Sequence, residues 1–264
     1  MSRRVDSARP SKKSRTSKKP APQPSSRLRK VLGVLALVAA GGLLLTAIIQ
    51  MNSGNDIKSA TGKEPAATGQ EATYRQLAKL ARRSATDPTG LGKVDAPVVM
   101  IEYSDFQCPY CRKFGLTMEP DLIAKYVDTG VLRIEWRNFP IFGDESQTAA
   151  RASWAAGQQG KFWEMHKALF ENGPEKKNTG VFTPERMAEI ARLAGVPDLN
   201  KFRADLDSDA ANKALAADTN EGYNLGITST PAFLINGRPV LGAQPLDQFE
   251  AMIEAAEQTA DHTE

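Results

Sequence analysis

"SDFQCPYCRKF", Ser104 to Phe114, holds both cysteines of the chain, Cys108 and Cys111, with only Pro109 and Tyr110 between them. Just before it stands "VVMIEY", Val98 to Tyr103, a short apolar run rich in β-branched residues that suits a buried strand. Pro109 fits the first position of a helix, where its missing N–H costs nothing, and this makes Cys108 the N-cap. The helix is predicted to run through Phe114 and Met118, to kink or restart near Pro120, and to stop at Asp128-Thr129-Gly130, with Gly130 as a left-handed terminator. The stretch therefore reads as strand, thiol-bearing turn, helix.

A thiolate at a helix N-cap faces the free N–H groups of Tyr110 and Cys111 and the positive end of the helix dipole, so the acidity of Cys108 should rise. Cys111, in the first turn, reaches back toward it. Cys108 is thus the candidate nucleophile and Cys111 the resolving thiol. Stabilising the thiolate stabilises the reduced form and makes the disulfide the better oxidant. Two other uses of the pair fit less well. A structural disulfide across a two-residue gap removes little unfolded-chain entropy. A zinc site needs about four ligands, and only His166 and His262 remain to join the cysteines. No metal and no cofactor are expected, and His166 reads as a packing or surface residue.

Charge divides the chain unevenly. Residues 1–30 carry eleven Lys/Arg against Asp6 alone, and the rest carries 23 basic and 30 acidic side chains. No basic face is left on the body to track phosphates, which sets nucleic-acid binding aside. Between the two parts lies "VLGVLALVAAGGLLLTAIIQ", Val31 to Gln50. As a helix its apolar part rises about 28 Å, close to the roughly 30 Å hydrocarbon core of a bilayer. A cleaved signal peptide has a shorter apolar stretch and ends in a small-x-small site, which "MNSGND" lacks. An uncleaved single-pass anchor in the cell membrane is therefore predicted, with the cationic tail in the cytoplasm and everything after Gln50 outside. That side is oxidising and suits a chain whose two cysteines fit one disulfide.

The organisation follows from composition. Residues 1–30 form a basic tail with almost nothing apolar to bury and are expected to be disordered. Residues 31–50 are the anchor, and 51–90 a tether in which Ala72 to Arg83 carries helical spacing. Residues 91–264 form the folded body. Within it come the strand and helix already described, a second strand in "VLRIEWRNFP" (131–140), and a mostly helical block over about 144–226. That block includes helices over 145–157, 161–171, 183–194 (Thr183 as N-cap), 200–206 and 209–225. The chain then returns to β in "TPAFLING" (230–237), turns at Asn236-Gly237 with a type I′ signal into "RPVLGA", and closes with a helix over 246–258.

The stretch "IEYSDFQCPYCRKF", the long helical block and the late "TSTPAFLING" together resemble a membrane-anchored DsbA-type thiol-disulfide oxidoreductase. The resemblance covers about Pro97 to Gln258 and implies an α/β thioredoxin-like fold with an inserted all-helical domain. It implies that Cys108 is the exposed nucleophile and Cys111 its buried partner. Glu102, in the apolar run six residues before Cys108, falls where the family keeps an acidic residue beneath the active site; facing inward, it would have a raised pKa and exchange protons with Cys111. Thr230-Pro231 matches the family's cis-proline loop, where the Thr230 backbone would pair with an extended client. Spacing alone could not select Pro231, since about 5–6% of X-Pro bonds are cis and the chain has sixteen prolines. Tyr110, Pro109, Phe106 and Phe233 are candidates for apolar contact with an unfolded client, Phe233 equally for the core.

The function expected is an oxidase that donates the Cys108–Cys111 disulfide to reduced exported proteins. It is expected to work as a monomer and to be reoxidised by a quinone-coupled integral membrane partner. A thiol reductase or isomerase on the same fold is the alternative, although the forty residues from Met51 to Gly90 are too few for the dimerisation domain that related isomerases carry. A chaperone-like client-binding protein with a merely structural disulfide is the third reading.

Overall fold

The computed structural model describes residues 69–261. The basic tail, the apolar span 31–50 and the tether up to residue 68 lie outside the described residues. Within them, no helix is long and apolar enough to cross a membrane.

Five strands form one sheet in the order β1-β3-β2-β4-β5: β1 Gly90–Leu91, β2 Val98–Ser104, β3 Leu132–Asn138, β4 Ala232–Ile235 and β5 Arg238–Leu241. β2 and β3 run parallel, from Val98 opposite Leu132 to Ser104 opposite Asn138. A parallel pair needs a crossover. It is supplied by α2 (Pro109–Thr117), α3 (Glu119–Leu122) and a π-helical turn over Ile123–Val127. Every residue of β2 and β3 is buried, which explains why β2 reads as a continuous apolar run rather than an alternating one. β4 pairs antiparallel with β2, and β5 with β4. The hairpin turns at Asn236 and Gly237, with φ of 42° and 81°, as a type I′ turn requires.

Between β3 and β4 the chain forms five helices: α4 Asp144–Gly157, α5 Phe162–Asn172, α6 Pro184–Leu193, α7 Leu199–Leu206 and α8 Asp209–Asn224. Thr183, Asp198 and Ser208 cap α6, α7 and α8 by accepting backbone N–H bonds. The helices bury Phe162, Phe170, Met187 and Phe202 in a cluster that also holds Phe106, Trp136 and both cysteines. A second cluster joins Met100, Phe114, Leu122, Ile134 and Phe233 to Phe249 and Ile253 of α9 (Leu246–Asp261). This is the thioredoxin-like α/β arrangement implied by the resemblance.

The other sheet face, with Val99, Ile101 and Leu234, is covered in part by Leu77, Leu80 and Ala81. Here the helix expected over 72–83 is instead α1, Gly69–Ala78. Its early end has a local cause. Beyond Ala78 the chain unwinds so that the N–H groups of Arg82 and Arg83 each donate to the Glu135 carboxylate at 2.8 Å, while the Leu80 carbonyl accepts from Arg137. Those bonds replace the helical ones.

Candidate active site

β2 delivers Asp105 into the turn before α2. The buried Asp105 carboxylate accepts bonds from the N–H groups of Gln107 (2.8 Å) and Ile141 (2.8 Å) and from the Ser146 hydroxyl (2.7 Å). The Asp105 carbonyl accepts from the Cys108 N–H at 3.0 Å. These bonds set the entry to the helix, and Cys108 stands at the N-cap with φ −76° and ψ 120° and Pro109 next in line. The Cys108 Sγ accepts from the Cys111 N–H at 3.4 Å.

Both cysteines are free thiols. The Cys108 thiol donates to the Thr230 carbonyl at 3.3 Å, and Thr230 joins Pro231 through a cis peptide bond. The expectation of an exposed nucleophile needs correction, because Cys108 is only 2% exposed. The sulfur is turned beneath the helix start and against the Thr230 carbonyl, so an attacking client must displace that contact. Next to it, exposed apolar surface does exist. Tyr110 is 67% exposed, and Leu241, paired in register with Ala232 just after Pro231, is 66% exposed. Sequence reading missed Leu241; only the hairpin register brings it beside the proline.

The two sulfurs differ sharply in acidity. Hydrogen bonding from the Cys111 thiol, and then from Thr230 and the Cys111 and Tyr110 N–H groups, outweighs burial and draws Cys108 down to about 6. Burial, followed by the hydrogen bond to Cys108, pushes Cys111 well above the ordinary thiol range. Glu102 sits in β2 opposite Trp136 and Phe233, on the face of Met100 and so on the side of α2. It is 1% exposed, neither carboxyl oxygen has a hydrogen-bond partner, and burial together with negative charge at Cys108 raises it to about 8.

Two of the expected client contacts move. Phe106 is buried and stacks on Trp136 at 4.8 Å, so it belongs to the helical core rather than to a client surface. Phe233 is buried between Phe114 and Phe249. Pro109 lies exposed beside Tyr110. Among the described residues no group of three or more His, Cys, Asp or Glu side chains is placed to hold a metal ion.

The family model described as Thioredoxin matches residues 84–255. The chain belongs to the thioredoxin family. This thioredoxin-family chain is 32% identical over 151 residues to the probable disulfide bond formation protein D of Bacillus cereus, a match that takes in 56% of the chain and 69% of that relative. It is 33% identical over 167 residues to the Na(+)/H(+) antiporter NhaA 3 of Salinispora tropica, covering 62% of the chain but only 24% of the antiporter. The crystal structure of oxidised BdbD from Bacillus subtilis superposes with a TM-score of 0.62 at 25% identity, over 66% of this chain and 95% of that one. Within the family it is a DsbA-type thiol-disulfide oxidoreductase.

The thioredoxin-family chain brings Cys108, Cys111, Thr230 and Pro231 together, with Glu102 buried behind them. Sequence reading singled out neither Asp105 nor Glu119, and it read His166 as a packing or surface residue; the structure makes it a packing residue, 2% exposed. Asp105 carried a signal, an aspartate three residues before an N-cap, where it favours a local side-chain turn. The choice between packing and surface for His166 was not in the sequence: an α5 histidine reads alike whether it is buried or solvated.

Proposed function

We propose that the protein is an oxidase that donates the Cys108–Cys111 disulfide to exported proteins still carrying free thiols. A client thiolate attacks the Cys108 sulfur, the bond to Cys111 breaks, and a mixed disulfide forms; a second client thiolate then displaces Cys108 as a thiolate. The observation that carries this reading is the divergence of the two sulfurs, Cys108 near 6 and Cys111 far above it. A leaving group of low pKa departs faster, and a stabilised thiolate favours the reduced enzyme and hence an oxidising disulfide. The name of the Bacillus cereus relative agrees with formation of disulfides as the direction. Tyr110 and Leu241 supply apolar contact for the client, and the Thr230 backbone pairs with its extended chain. Val31 to Gln50 anchors the chain in the cell membrane with the body outside, which suits a chain similar to part of an antiporter. There a quinone-coupled membrane protein takes the electrons from the reduced pair. The enzyme works as a monomer.

Redox titration against glutathione tests the direction. A reduction potential well above that of thioredoxin, about −270 mV, is expected, and a value near it would overturn the oxidase reading in favour of a reductase.

A further inference from the structure

The sheet face turned away from α2 is only partly roofed, and a pocket of about 550 Å³ opens there. Its floor is aliphatic, made by Val99 and Ile101 of β2 and Leu234 of β4. α1 with the segment after it forms one wall and the end of α9 another, and small side chains at Ala78, Ala81 and Ala256 leave the space between them open. The β4–β5 turn closes one side. It touches α1 so closely that a Cβ on Gly237 would collide with the Tyr74 carbonyl.

The rim is cationic. Arg75, Lys79, Arg83 and Arg238 line the pocket, and Glu71 is the only acid that does so. After residue 30 the chain carries 23 basic and 30 acidic side chains, so four cations against one carboxylate run counter to the body as a whole. Arg238 is held by both Glu71 oxygens at 3.0 Å, and the Arg83 guanidinium donates to the Val94 and Ala96 carbonyls at 2.9 and 2.8 Å. Arg75 and Lys79 are exposed, and no ion pair holds either among the described residues.

A cationic rim above an aliphatic floor fits an anionic amphiphile. A peptide fits less well, because the floor is a sheet face and not an unpaired edge, and it offers a peptide backbone no ladder to join. An acyl chain has no polar groups to satisfy. Eighteen residues separate Gln50 from Gly69, where α1 begins, a reach of at most about 60 Å. With Val31 to Gln50 as the anchor, the pocket stays within that reach of the bilayer.

We propose that this pocket binds an anionic phospholipid of the membrane that holds the anchor, with the headgroup on Arg75 and Lys79 and an acyl chain over Val99, Ile101 and Leu234. The inference rests on the anchor reading for the source of the lipid and not on the exchange chemistry. α2 packs on the opposite face of the sheet, through Phe114 against Met100 and Ile134, so a body docked in this way keeps the cysteine-bearing helix off the bilayer.

The test is photolabelling of the full chain in phosphatidylcholine vesicles that contain phosphatidylglycerol or phosphatidylcholine with a photoreactive acyl chain, the label being mapped by mass spectrometry. Peptides over 69–83 and 246–261 are expected to take the anionic lipid more than about tenfold over the neutral one. Arg75→Gln and Lys79→Gln should each cut that preference about fivefold, the weight of one cation at an anionic surface. Thr259→Trp, at an exposed α9 position that lines the pocket, keeps every charge and fills the space, and labelling should fall several-fold. Client oxidation should stay at the wild-type rate in all three variants. Equal labelling by the two lipids, or a preference that survives both glutamine variants, would overturn the proposal. Full labelling of Thr259→Trp would mean attraction to the surface without entry of a chain, and displacement of the label by inorganic phosphate would make the ligand a soluble anion; either result overturns the lipid assignment. A full chain that does not float with pure phosphatidylcholine vesicles would overturn the anchor reading instead, while the label ratio still reports on the pocket.

Discussion

The Cys108 sulfur and the Thr230 carbonyl, 122 positions apart in sequence, meet at 3.3 Å. The contact joins the start of α2 to the loop that opens β4 and covers the nucleophile, and the same loop brings the Thr230 side chain, which favours the thiolate, to the sulfur. Alkylation of the reduced enzyme should therefore follow a single ionisation with a midpoint near pH 6, the value to which Cys108 is drawn. Mass spectrometry should find the label on Cys108 and not on Cys111. The Thr230 hydroxyl is buried without a partner in the dithiol form and is free to donate to the thiolate once it forms; Thr230→Val removes that bond, worth about 1 kcal/mol, so the midpoint should rise by roughly 0.7 unit. A midpoint above about 8 in the wild type would contradict this account of the thiolate.

Glu102 should show its burial as a pH dependence of stability. Its folded pKa is raised from 4.5 to about 8. The fold therefore favours the protonated carboxyl, and relative stability is fully present below about 4.5 and is lost as pH rises toward 8. Glu102→Gln removes that loss. Urea titrations of the reduced forms should show the variant gaining on wild type with rising pH across that window, by up to about 1.4 kcal/mol per pH unit at the steepest. Parallel stability curves would mean that the carboxyl is not held in a dry environment.

Glu135 is expected to act as the main clasp for residues 80–84. It is 0% exposed, accepts from the Arg82 and Arg83 N–H groups, and pairs with Arg133 at 2.9 Å and Arg137 at 3.1 Å. Glu135→Leu leaves two buried guanidinium groups without this carboxylate, a change that should cost about 3–5 kcal/mol. Amide exchange at Arg82 and Arg83 should accelerate more than exchange in α5. Equal acceleration everywhere would show global loosening rather than release of a clasp.

Gly222 of α8 has Phe139 against it, with a Cβ at this position standing 2.6 Å from the Phe139 ring. Gly222→Ala improves helix propensity by about 1 kcal/mol but overpacks a site where the usual cost is about 1–3 kcal/mol. A net loss of about 1 kcal/mol is expected in denaturant titration, with little change in exchange rate, because α8 lies on the opposite side of the sheet from Cys108. A stabilised variant would show that Phe139 has room to move.

Tyr110 stands two-thirds exposed beside the nucleophile and donates nothing to its acidity through its ring. Tyr110→Ala should raise KM for an unfolded client several-fold, in line with the loss of roughly 1 kcal/mol of aromatic contact, while the alkylation midpoint of Cys108 stays near 6. A shifted midpoint with unchanged KM would place Tyr110 in the electrostatics of the site rather than in recognition.

Much of this arrangement was legible in the sequence because its signals are local. Pro109 sets the helix start, Asn236-Gly237 the hairpin, and the apolar run around Glu102 a strand buried on both faces. The misreadings all arose where tertiary partners decide. Phe106 looks like a client contact until Trp136, thirty positions later, turns out to stack on it. α1 ends early because Glu135 captures backbone groups that a helix would have used. The burial of Glu119, and of His166 rather than its exposure, was not legible for the same reason: each stands on an ordinary helix until α3 and α5 pack against α2.

The long helical layer between β3 and β4 also imposes a schedule. At about 5–20 residues per second, the ribosome needs about 6–24 seconds to make the 122 residues that separate Cys108 from Thr230. During that interval the sulfur has emerged without the loop that acidifies and shields it, and without the α5 helix that closes the chamber beneath. Until the last strands arrive its acidity rests on Cys111 and the local helix start alone, so the newborn chain acquires the shielding of its sulfur, and the last part of its chemistry, late.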